Sequence, residues 1–523
     1  MASAELERIW NTTAKLVFGS ELGRLDEFTE WLSELPDTTL HKKSSISGKD
    51  VTYSVKEYCA GSKRAGLDEI DYAKKFPPLS INDIKDVDSL LAAVRERIYY
   101  TGGVVLGNSK FVEQSSNISE SFFVSNSHRV DDSKYVWGSS FVKQSECVFG
   151  CNYVGASSHM VRGILNYRCK RTLELWNADS CSDCYYGHNL HNCSDCFFCF
   201  NLRAKRHAIG NLELGREKYS QIKQKLLGEI VQGIKSRKKL PSLAALAIAG
   251  PLPNVQGIAL PPLAARQDMA PMEKAFSKTA SLILGKRYGG IEKHATWLNE
   301  NILGLARANS VASGRGIFVS EFNATKVLPK ERLLSYEEAE KAGSISASAQ
   351  EIESLSFANS PSLLGKIGLF TAEFKSGVGE NLIDCPIYAD GANSYRCFDC
   401  TFSKYCAYCF WPRDSEHLFG TSLVYGSSFC LKCYNSAKLQ RCFEVDSSRN
   451  CSGCYFCHNC ENVHDSMFCF NVKNMKYAIG NAEVGAEKFA AAKKMLLSHL
   501  QKELDAKAGV GINIFNIGCH KTH

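Results

Sequence analysis

The sequence predicts a mainly β fold: two tandem parallel β-solenoids of about twelve residues per coil, capped and connected by α-helices. Three observations predict it. The first is where the 23 cysteines fall. Nine lie from Cys59 to Cys199, none from 200 to 384, and fourteen from Cys385 to Cys519. Two cysteine-rich blocks therefore flank a cysteine-free middle. The second is that the blocks are copies. Cys199-Phe200-Asn201-Leu202-Arg203 leading to Ala208-Ile209-Gly210-Asn211 recurs 270 residues later as Cys469-Phe470-Asn471-Val472-Lys473 leading to Ala478-Ile479-Gly480-Asn481. At that offset Glu174 matches Glu444, and His188-Asn189 matches His458-Asn459. An internal duplication explains both.

The third is a shorter period inside each block. Steps of twelve from Ser109 reach Ser121, Ser133, Ser145, Ser157, Cys169, Cys181 and Cys193. Steps from Val112 reach Val124, Val136, Val148, Met160, Thr172, Cys184 and Cys196. A third track starts at Leu106 and passes Ile118 and Val130; a fourth runs from Ser115 to Cys199. In the second block Cys385 leads to Cys397, Cys409, Thr421, Cys433, Val445, Cys457 and Cys469. Twenty of the 23 cysteines fall on such tracks; Cys59, Cys147 and Cys519 do not. A period of three suits neither an amphipathic helix nor a flat strand. It suits a coil with four short sides, each turning one small side chain inward. A buried serine without a partner costs about 1–3 kcal/mol, so stacked serines must bond to one another or to coil carbonyls.

The elements follow in order. Residues 1–105 read as an N-terminal α+β or helical cap, ending in a helix from Asp88 to Arg97 that leads into the first coils. Residues 106–205 are the first solenoid. Residues 206–380 read as a helical and proline-rich connector with a second cap: a helical pattern at 214–235, six of the 13 prolines within 240–272, and a further helical stretch at 273–310. Residues 381–475 are the second solenoid, and 476–523 a C-terminal helix and tail. Solenoids need their open ends covered, so the helices are expected as caps or side braces.

At 523 residues and 44% hydrophobic, the chain is long enough for several cores. Its net charge of +7 permits an anionic partner without requiring one. No run of about 18 apolar residues occurs, so a membrane-spanning helix is not expected. The start, with Glu5 and Glu7 and no positive region before an apolar core, does not read as an export signal. A cytoplasmic location with reduced thiols is therefore expected.

Taken without the period, the cysteines resemble metal sites. Cys181-x-x-Cys184 with Cys193-x-x-Cys196 looks like a zinc set, and Cys451, Cys454, Cys457 and Cys460 form a run that suits zinc or an iron–sulfur cluster. A three-residue inward period produces CxxC automatically, and Ser, Val and Leu share the tracks. Packing is the reading preferred; no cofactor is expected, with zinc the alternative at 451–460.

Between the inward tracks runs an apolar outward stripe: Trp137, Phe149, Tyr185 and Phe197, copied as Phe419, Phe443 and Tyr455. Left wet, it would bind a partner or a second copy of the chain; helices of the same chain are the other occupant. His458, Glu461, His464 and Asp465, with Glu444 and Asp446, form the densest cluster of acid–base side chains, against a purely structural reading as turn and ladder bonds. The basic run Lys235, Arg237, Lys238 and Lys239 admits a nucleic-acid contact or a solvated helix end. No P-loop, dinucleotide fingerprint, nucleophile elbow or HExxH motif is present.

The strings Phe429-Cys430-Leu431-Lys432-Cys433-Tyr434, Arg441-Cys442-Phe443-Glu444-Val445-Asp446 and Cys454-Tyr455-Phe456-Cys457-His458-Asn459-Cys460 carry a family resemblance. The chain resembles uncharacterised cysteine-rich repeat proteins of archaea and uncultivated bacteria. Zinc-ribbon-like segments ahead of the repeats, which some of these carry, have no counterpart here, where only Cys59 precedes the first block. The resemblance implies a repeat fold and no activity. The function expected is a structural scaffold or a protein-interaction and assembly protein. A metal-binding protein and an enzyme with a groove around His458 and Glu444 are the alternatives.

Overall fold

The computed structural model describes residues 2–79, 85–260 and 267–520; part of the proline-rich connector, 261–266, lies outside them. Both cysteine-rich blocks are parallel β-solenoids. Strand partners stand twelve residues apart: Lys134 lies between Phe122 and Glu146, and Ser428 between Glu416 and Gln440. The first solenoid runs from Val105–Leu106 to Arg206–Ile209. The second begins at Phe374–Ile383, earlier than the expected 381, and ends at Ala478–Ile479. The first coil of each holds one extra residue, so Val105 pairs with Ile118 and Phe374 with Ile387. That insertion takes Leu106 off its expected track and leaves it exposed.

Each side of a coil is two extended residues and one left-handed residue. From Phe111 onward the corner falls on every third position, including Asn117 (φ +57°), Arg129 (+55°), Asn177 (+53°) and Asn189 (+54°). The left-handed conformation costs an L-residue about 1–2 kcal/mol and suits Asn, Asp and Gly best. It is held here by the ladders on both sides and by the filled interior. Ser133 shows how an inward hydroxyl is satisfied. Its Oγ donates to the Asp131 carbonyl at 2.8 Å and accepts the Ser145 backbone N–H, one coil on, at 3.1 Å. Cysteine takes over the same geometry: Cys181 Sγ donates to the Asp179 carbonyl at 3.3 Å. The two interiors form separate cores of buried Val, Leu, Ile and Cys.

The Ala-Ile-Gly-Asn motif is where each solenoid stops. Ile209 pairs with Leu212 across a Gly210–Asn211 turn with φ of +56° and +64°. The Asn211 amide bonds both the N–H and the carbonyl of Phe200, at 2.8 and 3.0 Å, as a further coil would. Asn481 does the same for Phe470. A Cβ on Gly210 would meet Leu363 at 2.9 Å and Ile352 at 3.0 Å, so glycine is also needed for the close approach.

The apolar stripe is covered by helices of the chain itself, the occupant the sequence favours, so its residues form no exposed interaction surface. Helix Ala2–Phe18 lies along the first solenoid, with Trp10 edge-on to Phe149 at 5.2 Å and the Tyr185 hydroxyl donating to Val17 O at 3.0 Å. Helix Ala270–Leu284 repeats this on the second, where Phe276 meets Phe419 and the Tyr455 hydroxyl donates to Ile283 O at 2.7 Å. Trp137, Phe149, Tyr185, Phe197, Phe419, Phe443 and Tyr455 are all buried. The long helices Arg216–Arg237 and Ala486–Lys507 run beside these as braces: Lys223 lies over the Tyr185 ring and Lys493 over Tyr455.

The two solenoids lie side by side and antiparallel. Arg129 bonds Asn435, Phe141 packs on Trp411, and His191 stacks on Phe374, so rising numbers in one meet falling numbers in the other. Each half also lends a segment to the other half's solenoid. Thr101 N donates to His458 Nε2 at 3.0 Å, and Thr371 N to His188 Nε2 at 2.9 Å. Asn471 reaches Tyr99 O, and Asn201 reaches Leu369 O. The N-terminal 105 residues are therefore no cap for the first solenoid alone. Their later part seats on the second.

Candidate functional site

His458, Glu444 and Asp446 are brought near one another and sealed. All three are fully buried where the segment around Tyr58 and Tyr100 covers the second solenoid. His458 Nδ1 stands 2.8 Å from Asp446 Oδ2, which also accepts the Tyr58 hydroxyl, while Asn435 donates to the other carboxylate oxygen. Burial alone would raise the Asp446 carboxyl; the bonds from His458, Tyr58 and Asn435 hold it below its ordinary value instead. Glu444 occupies a different column. Burial pushes it up to about 8 against the pull of Lys432. Its Oε2 accepts the Ile514 N–H at 2.9 Å, and its Oε1 has no partner. These groups lock chain to chain.

The first half keeps only part of this arrangement. Glu174 accepts the Leu243 N–H at 3.0 Å and pairs with Arg162, and His188 holds Thr371. Where Asp446 stands, the first half has Trp176.

The four thiols Cys451, Cys454, Cys457 and Cys460 point into the coil from successive sides, and each donates to the carbonyl two residues before it at 3.3–3.5 Å. Among the described residues no group of three or more Cys, His, Asp or Glu is arranged to hold a metal ion. Cys59 and Cys519, off every track, are joined as a disulfide that ties the Tyr58 segment to the C-terminal tail. Thiols of distant sequence position cannot be paired from spacing alone, so the sequence left this bond unread. The basic run is largely committed: Lys238 pairs with Glu27 at 2.5 Å, Lys239 with Glu30 at 2.9 Å, and Lys235 bonds Ser20. No helix among the described residues is long and apolar enough to cross a membrane.

What stays open is a cleft of about 360 Å³ between the solenoids. The later coils of the first solenoid supply Tyr153, Tyr167 and Asn177; the first coils of the second supply Asp399, Phe402 and Trp411. Tyr153 and Trp411 pack at 4.3 Å, forming its inner wall. Tyr167 and Phe402 are 46% and 56% exposed, which leaves two aromatic faces free at its rim. Asp399 is buried, and Thr401 Oγ1 donates to it at 2.6 Å. Burial raises its carboxyl above the ordinary value, with Thr401 and Arg413 pulling the other way. Asn177 donates to Glu373 O, but its Oδ1 and the Tyr153 hydroxyl have no partner. None of these residues stood out in the sequence, because all but Tyr167 are corner positions, and the two sets meet only across the joint between the solenoids.

A wider and more open groove of about 1150 Å³ runs beside helix Arg216–Arg237. Two of its charged groups are engaged: Glu229 accepts the Phe357 N–H at 2.6 Å, and Lys239 is paired with Glu30. The cleft is the stronger candidate because it lies between the two solenoids and keeps two exposed rings, Tyr167 and Phe402, at its rim.

The architecture defines the class as a paired parallel β-solenoid protein. No family model, curated protein or solved structure matches the chain.

Proposed function

We propose that the chain is a rigid, non-catalytic binding scaffold whose receptive surface is the cleft between its solenoids. One observation carries this reading: the acid–base side chains and the on-track thiols are sealed inside, whereas the cleft keeps the exposed rings of Tyr167 and Phe402 at its rim. A catalytic group must reach its substrate, and His458 and Glu444 lie behind the Tyr58 segment. A metal site at 451–460 has less support, since those thiols already serve as donors to carbonyls. Residence in the cytoplasm suits the 21 free thiols, which stay reduced there, while the Cys59–Cys519 disulfide runs against the expectation that all thiols are reduced.

Metal analysis of the reduced, anaerobically purified protein, combined with native mass spectrometry, tests this. The scaffold reading expects a mass equal to the bare chain or a whole multiple of it. Stoichiometric zinc or iron would replace it with the metal-binding reading.

A further inference from the structure

We propose that the cleft between the solenoids is a saccharide-binding site; this rests on the binding-scaffold reading above. The argument begins with what the lining lacks. Asn177 is buried, yet its Oδ1 accepts nothing, and the Tyr153 hydroxyl is likewise unpartnered. Asp399 accepts from Thr401 and has acceptor capacity to spare. An apolar occupant would leave these atoms unpaired in a drier site, which is unfavourable. A ligand rich in hydroxyl groups pairs the spare acceptor capacity of Asp399, and pairs Asn177 and Tyr153, whose free atoms are closed off from the cleft, once those side chains turn toward it.

Charge narrows the choice further. The lining carries Lys143, Arg168 and Arg413 against Asp179, Asp390 and Asp399, so no sign is in excess. Arg168 is spoken for by Asp179, with two bonds of 3.0 and 2.8 Å. Phosphate recognition needs uncommitted cations or a cluster of backbone N–H groups. The balance favours a neutral ligand. Tyr167 and Phe402 then offer exposed ring faces against which the C–H face of a sugar ring can lie. At about 360 Å³ the space falls within the range of about 300–1,000 Å³ for small-molecule sites.

The duplication supplies an independent argument. A joint kept only to hold the solenoids together would be under the same demands on both sides of the internal pseudo-symmetry. The two sides differ at the cleft-lining positions. Tyr153, Tyr167 and Phe402 are replaced 270 residues away by Leu423, Ala437 and Asp132, and Asp399 by Arg129. On that opposite side Arg129 is half-buried, lies over the Phe141 ring at 4.8 Å, and donates to Asn435 at 3.1 Å. One side is filled by an arginine; the other is walled with rings, two of which, Tyr167 and Phe402, stay exposed.

The test is a glycan-array screen of the intact chain, followed by titration of the best glycan against the wild type, Tyr167→Ala, Phe402→Ala and Phe111→Ala. Tyr167 and Phe402 are exposed, so their variants should fold; Phe111, exposed on the first coils, is the control. Affinity is expected to fall about tenfold or more in Tyr167→Ala and Phe402→Ala and to be unchanged in Phe111→Ala. The bound glycan is then recovered. If it is intact, both readings stand; if it is cleaved, the non-catalytic scaffold reading falls and the site stands. No glycan above background, or binding indifferent to Tyr167 and Phe402, overturns the saccharide site and leaves the scaffold reading untouched.

Discussion

Tyr58 donates its hydroxyl proton to Asp446 at 2.5 Å, across 388 residues of sequence and across the joint between the two halves. The bond ends in a fully buried carboxylate that also serves His458 and Asn435. Removing it leaves one lone pair of a buried charge unpaired. Tyr58→Phe is expected to cost about 1.5–3 kcal/mol, the range for hydrogen bonds to charged groups. Urea unfolding followed by circular dichroism measures it, and a loss under about 0.5 kcal/mol would show that the joint does not need this bond.

The two joints should respond to pH in opposite ways. Burial lowers His188 from 6.5 to about 3. Its unfolded form therefore binds the proton more readily, and the stability it contributes is complete above pH 6.5 and lost as pH falls toward 3. Glu444 is raised from 4.5 to about 8 by burial. Its folded form holds the proton, so stability falls as pH rises from 4.5 to 8. Glu444→Gln keeps the shape and removes the titration. It is expected to raise the melting temperature near pH 8 and flatten that slope; a slope identical to wild type would mean that Glu444 is ionised in the fold.

The solenoid thiols should behave as small apolar fillers. With Cys59 and Cys519 joined, 21 of the 23 cysteines are free, and all are buried. Iodoacetamide is expected to label them only after unfolding. Cys457→Val, which matches Val445 on its own track, and Cys454→Val, which matches Val148 on the corresponding track of the first solenoid, should each change stability by less than about 1.5 kcal/mol. Rapid labelling of native protein, read by mass spectrometry, would refute the packing role.

Gly210 makes a sharper demand. An alanine there must adopt φ near +56° and press its Cβ against Leu363 and Ile352. Gly210→Ala is expected to destabilise by about 1–3 kcal/mol, with hydrogen exchange rising first in Arg206–Ile209. An unchanged exchange pattern would mean that the hairpin does not secure that end.

The repeat was legible because an inward position tolerates only a short list of side chains, and that list recurs every third residue. Corner chemistry was written there too: Asn189, Asn192 and Asn201 sit two residues after inward positions, as left-handed corners require. The cleft and the joints were not legible. Asn177 and Asp399, or Tyr58 and Asp446, meet only because the solenoids run antiparallel and exchange segments, and no local pattern encodes that. The cluster around His458 was visible as a cluster. Its burial was not, since the segment covering it lies more than 350 positions earlier, as the 357-residue separation of Thr101 from His458 shows.

The crossing of Thr101 to His458 and of Thr371 to His188 has an ancestral corollary. A half-length molecule of this design could not exist alone, because the clasp for its own repeat would belong to a twin. If the repeat arose by joining two genes end to end, that exchange became internal to one polypeptide and was released from identical sequence on both sides. An Asp could then arise opposite Tyr58 where a Trp stays in the sister position, and one flank could specialise while the other was simply stopped up.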